Sequence, residues 1–462
     1  MDNGYFFCGI GGSGMLPLAA IIKARGAAVS GSDRSLDAGR MAAKFDYLRS
    51  LGIDLHDQDG TGLKEGQTLV ASAAVEDSVP DVVRARELGL PRKARPELLA
   101  ELLNTAATSI AIGGTSGKST VTGMAGWILH EAARAPTVMN GAVMKNFAGP
   151  HAPFASALVG DPDLFVAEVD ESDGSIALYE PTVALVNNIS LDHKSMDELR
   201  QLFGDFMGAG THAIFNADDV EARAIAPAHA RGFGFDPAHD PAYRGHDLEL
   251  HDEEVRFTLL HDGQAHAVHL PMPGRHNAMN ALAALAATHA AGVELADGAA
   301  ALARFAGLKR RLERVGEHHG ITVYDDFGHN PDKAAATLDT MRARGRRLLA
   351  IFQPHGYGPL KQMGEELAQV FAARLGEDDR LFLPDPVYQG GTVDKSRGSD
   401  WLAHAVREAG GHAIHIPDRD DIAAEIAADA RPGDIVLVMG ARDDSLIAYA
   451  RDLLDAIGKA QG

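Results

Sequence analysis

Cysteine is nearly missing, with one residue, Cys8, in 462. An intrachain disulfide framework is therefore excluded, and the usage fits a reducing compartment. Basic residues are outnumbered, 43 Lys and Arg against 64 Asp and Glu, for a formal net charge of -21. A field of that sign argues against sequence-independent binding to nucleic acid or anionic membrane. It leaves an anionic small-molecule substrate open wherever N–H donors and helix N-termini reverse the local field. No apolar run approaches the roughly 18 residues of a membrane span, and Met1-Asp2-Asn3-Gly4 lacks the basic start of a secretory signal. The expectation is a cytoplasmic chain with no membrane partner and no nucleic-acid partner. A short fixed repeat and a low-complexity tail are also absent.

What is present is enough chain for two or three domains, at 462 residues with 45% hydrophobic and 23% charged. Short apolar runs alternate with helical patterns. "FFC", "AAVSGSD" and "QTLVASAAV" make a first set of strands, ending near the helix "PELLAELLN" and the small-residue linker around Thr105 to Thr108. "SIAIGG", "LFVAEVD", "TVALVNN" and "HAIFNADD" make a second, each apolar enough for burial on both faces of a parallel sheet. After the long helix "RHNAMNALAALAATHAAG" a third set follows in "ITVYDDF", "RRLLAIFQP", "DRLFLPD", "HAIHIP" and "DIVLVMG". The reading is α/β with three tandem domains: a Rossmann-like domain over 1–105, a central P-loop ATPase-like domain with a parallel sheet over 106–311, and a Rossmann-like α/β domain over 312–462.

Two glycine turns carry the first chemistry. In "FFCGIGGSGMLPLAA", Gly9, Gly11, Gly12 and Gly14 stand between a strand and an apolar helix, where backbone N–H groups approach a pyrophosphate. Asp33, about 20 residues past the last glycine, stands where an acid binds a ribose. "GGTSGKST", Gly113 to Thr120, is the stronger signal. Its N–H groups and helix N-terminus face phosphate oxygens, Lys118 reaches the terminal phosphates, and Ser119 or Thr120 ligates magnesium. The usual spacing fails at one position, where Ile112 replaces glycine. A Gly-rich strand-to-helix turn without a ligand is the bland alternative.

Other candidates sit at strand ends. Glu168 of "EVDESD" and His193 of "NNISLDH" would converge on the phosphate loop as a carboxylate and an imidazole for the metal. Asn277 and Asn280 share a helix face and offer carboxamides to an adenine edge, or are simply an N-cap and a buried polar. Lys309, Arg310 and Arg311 form a basic triplet that serves as a phosphate clamp or as a solvated face. Asp325, Asp326 and His329 follow a strand and suit a third-domain group or a capped turn ahead of Pro331.

In this order, "GIGGSGM", "GSD", "ASAAV", "GTSGKST", "EVDESD", "NNISLDH", "FNADD", "GRHNAMNALAA", "KRRLE", "YDDFGHNP", "FQPH" and "VMGA" resemble the Mur ligase family across nearly the whole chain. The resemblance implies an ATP-dependent, amide-forming ligase of peptidoglycan precursor synthesis. Its small-molecule substrates would be UDP-N-acetylmuramate and an amino acid or peptide, and its cofactors ATP and Mg2+. The chain would be a monomer or weak homo-oligomer. Gly114, Thr115, Ser116, Gly117, Lys118, Ser119 and Thr120 would hold ATP, with Asn277 and Asn280 at the adenine. Ser119, Thr120, Glu168 and His193 would bind the metal, Arg311 a phosphate, and Asp326 and His329 would lie near nucleotide and amine. Gly9, Gly11, Gly12, Ser13, Gly14, Asp33 and Ser72 would grip the UDP-sugar.

Within the family the motifs look most like the alanine-adding branch, with the branch that reattaches a recycled murein peptide second. One departure matters. Where the alanine-adding branch carries two arginines after F-Q-P-H, this chain has Gly356 and Pro359. A carboxylate of the incoming amino acid then lacks its bidentate donors, unless Lys361, or Lys395 and Arg397, takes over. A nicotinamide oxidoreductase, suggested by the first turn, has no use for the second phosphate loop with Lys118. A weakened paralogue that only senses nucleotide fits poorly with Lys118, Glu168, His193 and Arg311 all in place.

Overall fold

The structure, a computed structural model, describes residues 4–72, 75–191, 194–387, 394–441, 443 and 445–460. The chain forms two compact units, Met1–Leu308 and Lys309–Gly462, described separately below. The first holds two sheets, the second one.

Sheet one consists of β1 (Tyr5–Cys8), β2 (Val29–Ser32), β3 (Asp54–His56), β4 (Thr68–Ala71) and β5 (Arg92–Ala94), all parallel, in the order β3-β2-β1-β4-β5. The order reverses at β1, so a crevice opens past its C-terminal end. The first glycine turn lies there, followed by the helix Met15–Ala24.

Sheet two has ten strands: β6 (Thr108–Gly113), β7 (Pro136–Met139), β8 (Ala157–Leu158), β9 (Asp161–Glu168), β10 (Val183–Val186), β11 (His212–Asn216), β12 (Arg231–Gly234), β13 (Tyr243–Leu250), β14 (Val255–His261) and β15 (Gln264–Leu270). Their order is β15-β14-β13-β12-β11-β10-β6-β9-β7-β8. β6 pairs in parallel with β9 and β10, so the ends of these three strands, bearing Gly113, Glu168 and Asn187, lie side by side. The parallel reading holds from β7 through to β13, while β8, β14 and β15 run antiparallel. β14 and β15 meet in a two-residue hairpin at Asp262-Gly263, both with positive φ (47° and 76°), the backbone a type I′ turn demands. Sheets one and two and the helices beside them share one apolar core, which takes in Phe7, Leu18 and Leu99 from the first part and Phe165, Ile176 and Phe203 from the second.

The second unit carries β16 (Glu313–His318), β17 (Ile321–Asp326), β18 (Leu348–Gln353), β19 (Arg380–Leu383), β20 (Ala413–His415) and β21 (Ile435–Gly440), in the order β16-β17-β21-β18-β19-β20. Only β16 is antiparallel to its neighbour. Its central strands are buried along their whole length, as the continuous apolar runs in their sequences require. No helix among the described residues is long and apolar enough to cross a membrane.

Candidate active site

The phosphate loop runs from β6 into the helix Lys118–Glu131, with Gly117 as its left-handed N-cap. Lys118 Nζ donates to Gly114 O at 2.6 Å and to Glu171 Oε2 at 2.7 Å. Burial pulls the ammonium down, but Glu171 and Asp170 outweigh it and raise the Lys118 pKa, so the side chain is charged. Ser119 Oγ donates to Glu168 Oε2 at 2.7 Å, which brings together two of the four residues expected at the metal. Thr120 is buried beside Ser119 at the head of the same helix. His193 lies outside the described residues. Among those described, no group of three or more His, Cys, Asp or Glu side chains is arranged to hold a metal ion.

The end of β10 braces the loop from the other side. Asn188 Oδ1 accepts from Ser116 N at 2.8 Å and from Thr115 Oγ1 at 2.9 Å, and the Asn187 and Asn188 amides both donate to Ser116 O at 3.0 Å. Asn187 Nδ2 also donates to Asn280 Oδ1 at 3.0 Å, and Asn280 Nδ2 to Asn277 Oδ1 at 3.4 Å. Asn277 Nδ2 donates to Pro273 O at 2.7 Å. Both helix asparagines are buried, and these bonds go to protein. Their immediate work is therefore to tie the helix Arg275–Ala290 to the loop as buried polar groups, while the N-cap expected of one of them falls to Gly274.

These residues fit a nucleotide. The helix Lys118–Glu131 presents its positive N-terminal end at the loop, Lys118 is charged, and Ser116 Oγ is a buried hydroxyl with no partner among the described residues. The oxygens of Ser119, Thr120 and Glu168 form the hard donor set that magnesium prefers.

The first glycine turn is built differently. Gly9 N and Ile10 N donate to Ser32 O, and Asp33 bridges Gly11 N (2.9 Å, through Oδ2) and Ser35 N (2.8 Å, through Oδ1). A Cβ on Gly11 would sit 2.9 Å from Asp33 Oδ2, so the turn needs glycine there for close approach. Ser13 and Gly12 are exposed at the crest, and Ser72 follows β4. Arg95, unremarked in the sequence, packs across this turn. A Cβ on Gly14 would meet its Cδ at 3.0 Å, and its charge helps hold Asp170 below the ordinary carboxylate range. Cys8 ends β1 with its thiol pushed up to about 12 by burial and by Asp81, which removes it as a nucleophile near neutrality.

In the second unit the basic triplet divides. Arg310 is 5% exposed and spans Asp325 (3.2 Å), Gly440 O (2.6 Å) and Asp443 O (3.1 Å). Arg311 is half-buried over the Phe327 ring, 4.7 Å from its centroid. Arg310→Ala should cost the second unit about 3 kcal/mol, because it strands Asp325 and two carbonyls. Urea unfolding monitored in that unit checks this, and a loss under about 1 kcal/mol would contradict it. Asp326 accepts from Leu312 N, Gly328 N and Thr337 Oγ1, all within 2.9 Å, which makes it a bracket for the turn. His329 bonds Phe327 O through Nδ1 at 2.9 Å, and burial, aided by Lys333, pushes its pKa down to about 2. That neutral ring suits hydrogen bonding rather than proton transfer near pH 7.

Gly356 caps the helix Tyr357–Arg374 with φ of 139°, a conformation an arginine adopts only under strain. The three basic candidates for the missing donors already have partners. Lys361 pairs with Asp394 at 2.9 Å, Arg397 with Glu365 at 3.0 Å, and Lys395 lies over Tyr357. A cleft of about 290 Å3 opens at the ends of β18, β19 and β20, lined in part by Gln353, Asp385, Asp418 and Arg419.

Three sequence families of known proteins match this chain in succession: the Mur ligase family catalytic domain at residues 5–106, the Mur ligase middle domain at 112–288, and the Mur ligase glutamate ligase domain at 310–442. Among curated relatives, the UDP-N-acetylmuramate–L-alanine ligase of Streptomyces coelicolor is 36% identical over 460 residues, covering 96% of this chain and 95% of that one. The chain belongs to the Mur ligase family. The enzyme of the same name from Nitratidesulfovibrio vulgaris is 35% identical over 450 residues, 94% of each chain. Among solved structures, the UDP-N-acetylmuramate-alanine ligase of Thermotoga maritima superposes with a TM-score of 0.80 over 99% of this chain and 100% of that one, at 23% identity. A murein peptide ligase from Psychrobacter arcticus gives 0.70 over 98% of each, at 25% identity. As a Mur ligase, the chain is an amide-bond-forming enzyme that uses ATP and acts on small molecules.

Sequence reasoning passed over Glu171, Asn187, Asn188 and Arg95. The first three stand inside quoted motifs, yet spacing alone does not say which acid of "EVDESD" faces the lysine.

Proposed function

We propose that this Mur ligase joins the lactyl carboxylate of UDP-N-acetylmuramate to the amine of an amino acid, L-alanine first, in peptidoglycan precursor synthesis. The observation that carries the reading is the charged Lys118 within a loop braced by Asn187 and Asn188, beside the Ser119–Glu168 pair. ATP would supply the phosphoryl group that turns the carboxylate into an acyl phosphate open to amine attack. Lys118, the loop N–H groups and the helix N-terminus would stabilise the negative charge that gathers there, because they are fixed in place before it develops. Ser119, Thr120 and Glu168, with His193, would hold magnesium, which lowers the phosphate charge. The first glycine turn, with Arg95 alongside, would grip the UDP diphosphate. The acceptor amine is assigned to the second unit, with Arg311 and His329.

The domain division at 105/106 and 311/312, a cytoplasmic location and a monomer or weak homo-oligomer belong to the same proposal. The supports are the cytoplasmic nature of such substrates and the three successive sheets.

Phosphate release from ATP and magnesium with UDP-N-acetylmuramate tests it. L-alanine is expected to stimulate release at least about tenfold over no acceptor, the smallest gain that a correctly placed amine should give. No release with any amino acid or murein peptide would sink the ligase reading. Release with a peptide and not with L-alanine would favour the peptide-recycling reading, which the substitution of Gly356 and Pro359 for two arginines motivates.

A further inference from the structure

Lys118 Nζ carries three protons, and the protein takes two of them, one for Gly114 O at 2.6 Å and one for Glu171 Oε2 at 2.7 Å. Glu171 is a buried carboxylate, its side chain 4% exposed. The turn that follows β9 fixes it: Ser172 N donates to Asp170 Oδ1 at 3.0 Å, and Gly174 N to Glu171 O at 3.0 Å. Glu168, three residues earlier, accepts from Ser119 Oγ and adds its charge to the field around Lys118. Two of the motif's four acids, Glu168 and Glu171, therefore have different hydrogen-bond donors.

We propose that Glu171 is a positioning residue that competes with the terminal phosphate of the nucleotide for Lys118, so that ATP binding exchanges a protein carboxylate for a phosphate oxygen on the same ammonium. The proposal rests on reading the loop as the ATP site. A buried ammonium with no anion costs several kcal/mol, and the exchange keeps Lys118 compensated throughout. The side chain is also held in one rotamer, directed into the loop, which spares the nucleotide that ordering cost. In return the nucleotide gains only the difference between two anions, and a carboxylate remains close to its phosphates. Glu171 thereby lowers nucleotide affinity while keeping the lysine in place.

The test is Glu171→Gln, which keeps the shape and an acceptor oxygen but removes the charge. The dissociation constant for ATP with magnesium is measured calorimetrically without UDP-sugar or amino acid, so that no turnover intervenes. The variant is expected to bind ATP about fivefold more tightly or better, the lower end of coupling between linked equilibria. In turnover the KM for ATP should fall without a matching rise in kcat. A merely structural Glu171 would lower the melting temperature and leave binding unchanged or weaker, and either binding result overturns the proposal. Should Glu171→Gln fail to fold, Glu171→Asp, which withdraws the carboxylate by one methylene, is expected to shift affinity in the same direction, and no gain there overturns the proposal equally. Absence of ATP binding by the wild-type chain would instead overturn the nucleotide reading itself.

Discussion

Lys118→Ala is expected to lower kcat on the order of a thousandfold while leaving the affinity for UDP-N-acetylmuramate within about threefold, since loss of one preorganised charge donor costs about 3–4 kcal/mol of barrier. The reasoning starts at the loop. Lys118 is the charged side chain that the structure places within bonding distance of Gly114 O, at the head of the helix that follows the loop. The UDP-sugar is assigned to the turn after β1, on the other sheet of the same unit. Removing the ammonium leaves Glu171 buried without its partner. Burial already holds the Glu171 pKa above its usual range, so the acid takes up a proton rather than remaining an uncompensated charge. The unit should therefore stay folded, with a loss of stability that circular dichroism on heating will register. Steady-state phosphate release gives kcat, and calorimetry with UDP-N-acetylmuramate alone gives the sugar affinity. Activity within tenfold of wild type would remove Lys118 from the chemistry. Lost sugar binding with preserved ATP hydrolysis would contradict the assignment of the two ligands to two sheets.

How much of this was legible follows from which signals are local. Strands buried on both faces announce themselves as continuous apolar runs, so β6, β9, β10, β17, β18 and β21 were all readable. β14, "VRFTLLH", has a burial pattern that alternates, and a search for continuous runs passes over it. The Asp262-Gly263 turn beside it was the overlooked cue. In the site, the glycine turn between β6 and the helix Lys118–Glu131 was legible because it is a local run of the chain whose spacing is itself the structure. Directions of side chains from distant segments were not. Asn277 and Asn280 share a helix face as expected, but that face packs against Asn187 and Pro273. Asp326 and Arg311 follow one another in space around Leu312 and Phe327, a local fold of the chain that residue spacing does not encode.

Gly117→Ala is expected to cost the first unit about 3 kcal/mol and to weaken ATP binding by at least an order of magnitude, from two additive causes. The backbone at Gly117 has φ of 83°, which costs an L-residue about 1–2 kcal/mol. The added Cβ also collides with Asn187 Nδ2 and lies 2.6 Å from Asn280 Oδ1. Neither amide is free to swing away, since each is buried and bonded to the other, and Asn187 also holds Ser116 O. Relief must come from moving the loop, which displaces the N–H groups that define the phosphate position. Gly26→Ala supplies the control: φ there is 91°, and a Cβ would meet nothing within 4 Å. It should show the backbone cost alone, about 1 kcal/mol, with ATP affinity unchanged. Paired urea unfolding and ATP titration of the two variants separate strain from collision. If Gly117→Ala proves no worse than Gly26→Ala in both measurements, the asparagine brace does not hold the loop, and the role given to Asn187 and Asn280 fails with it.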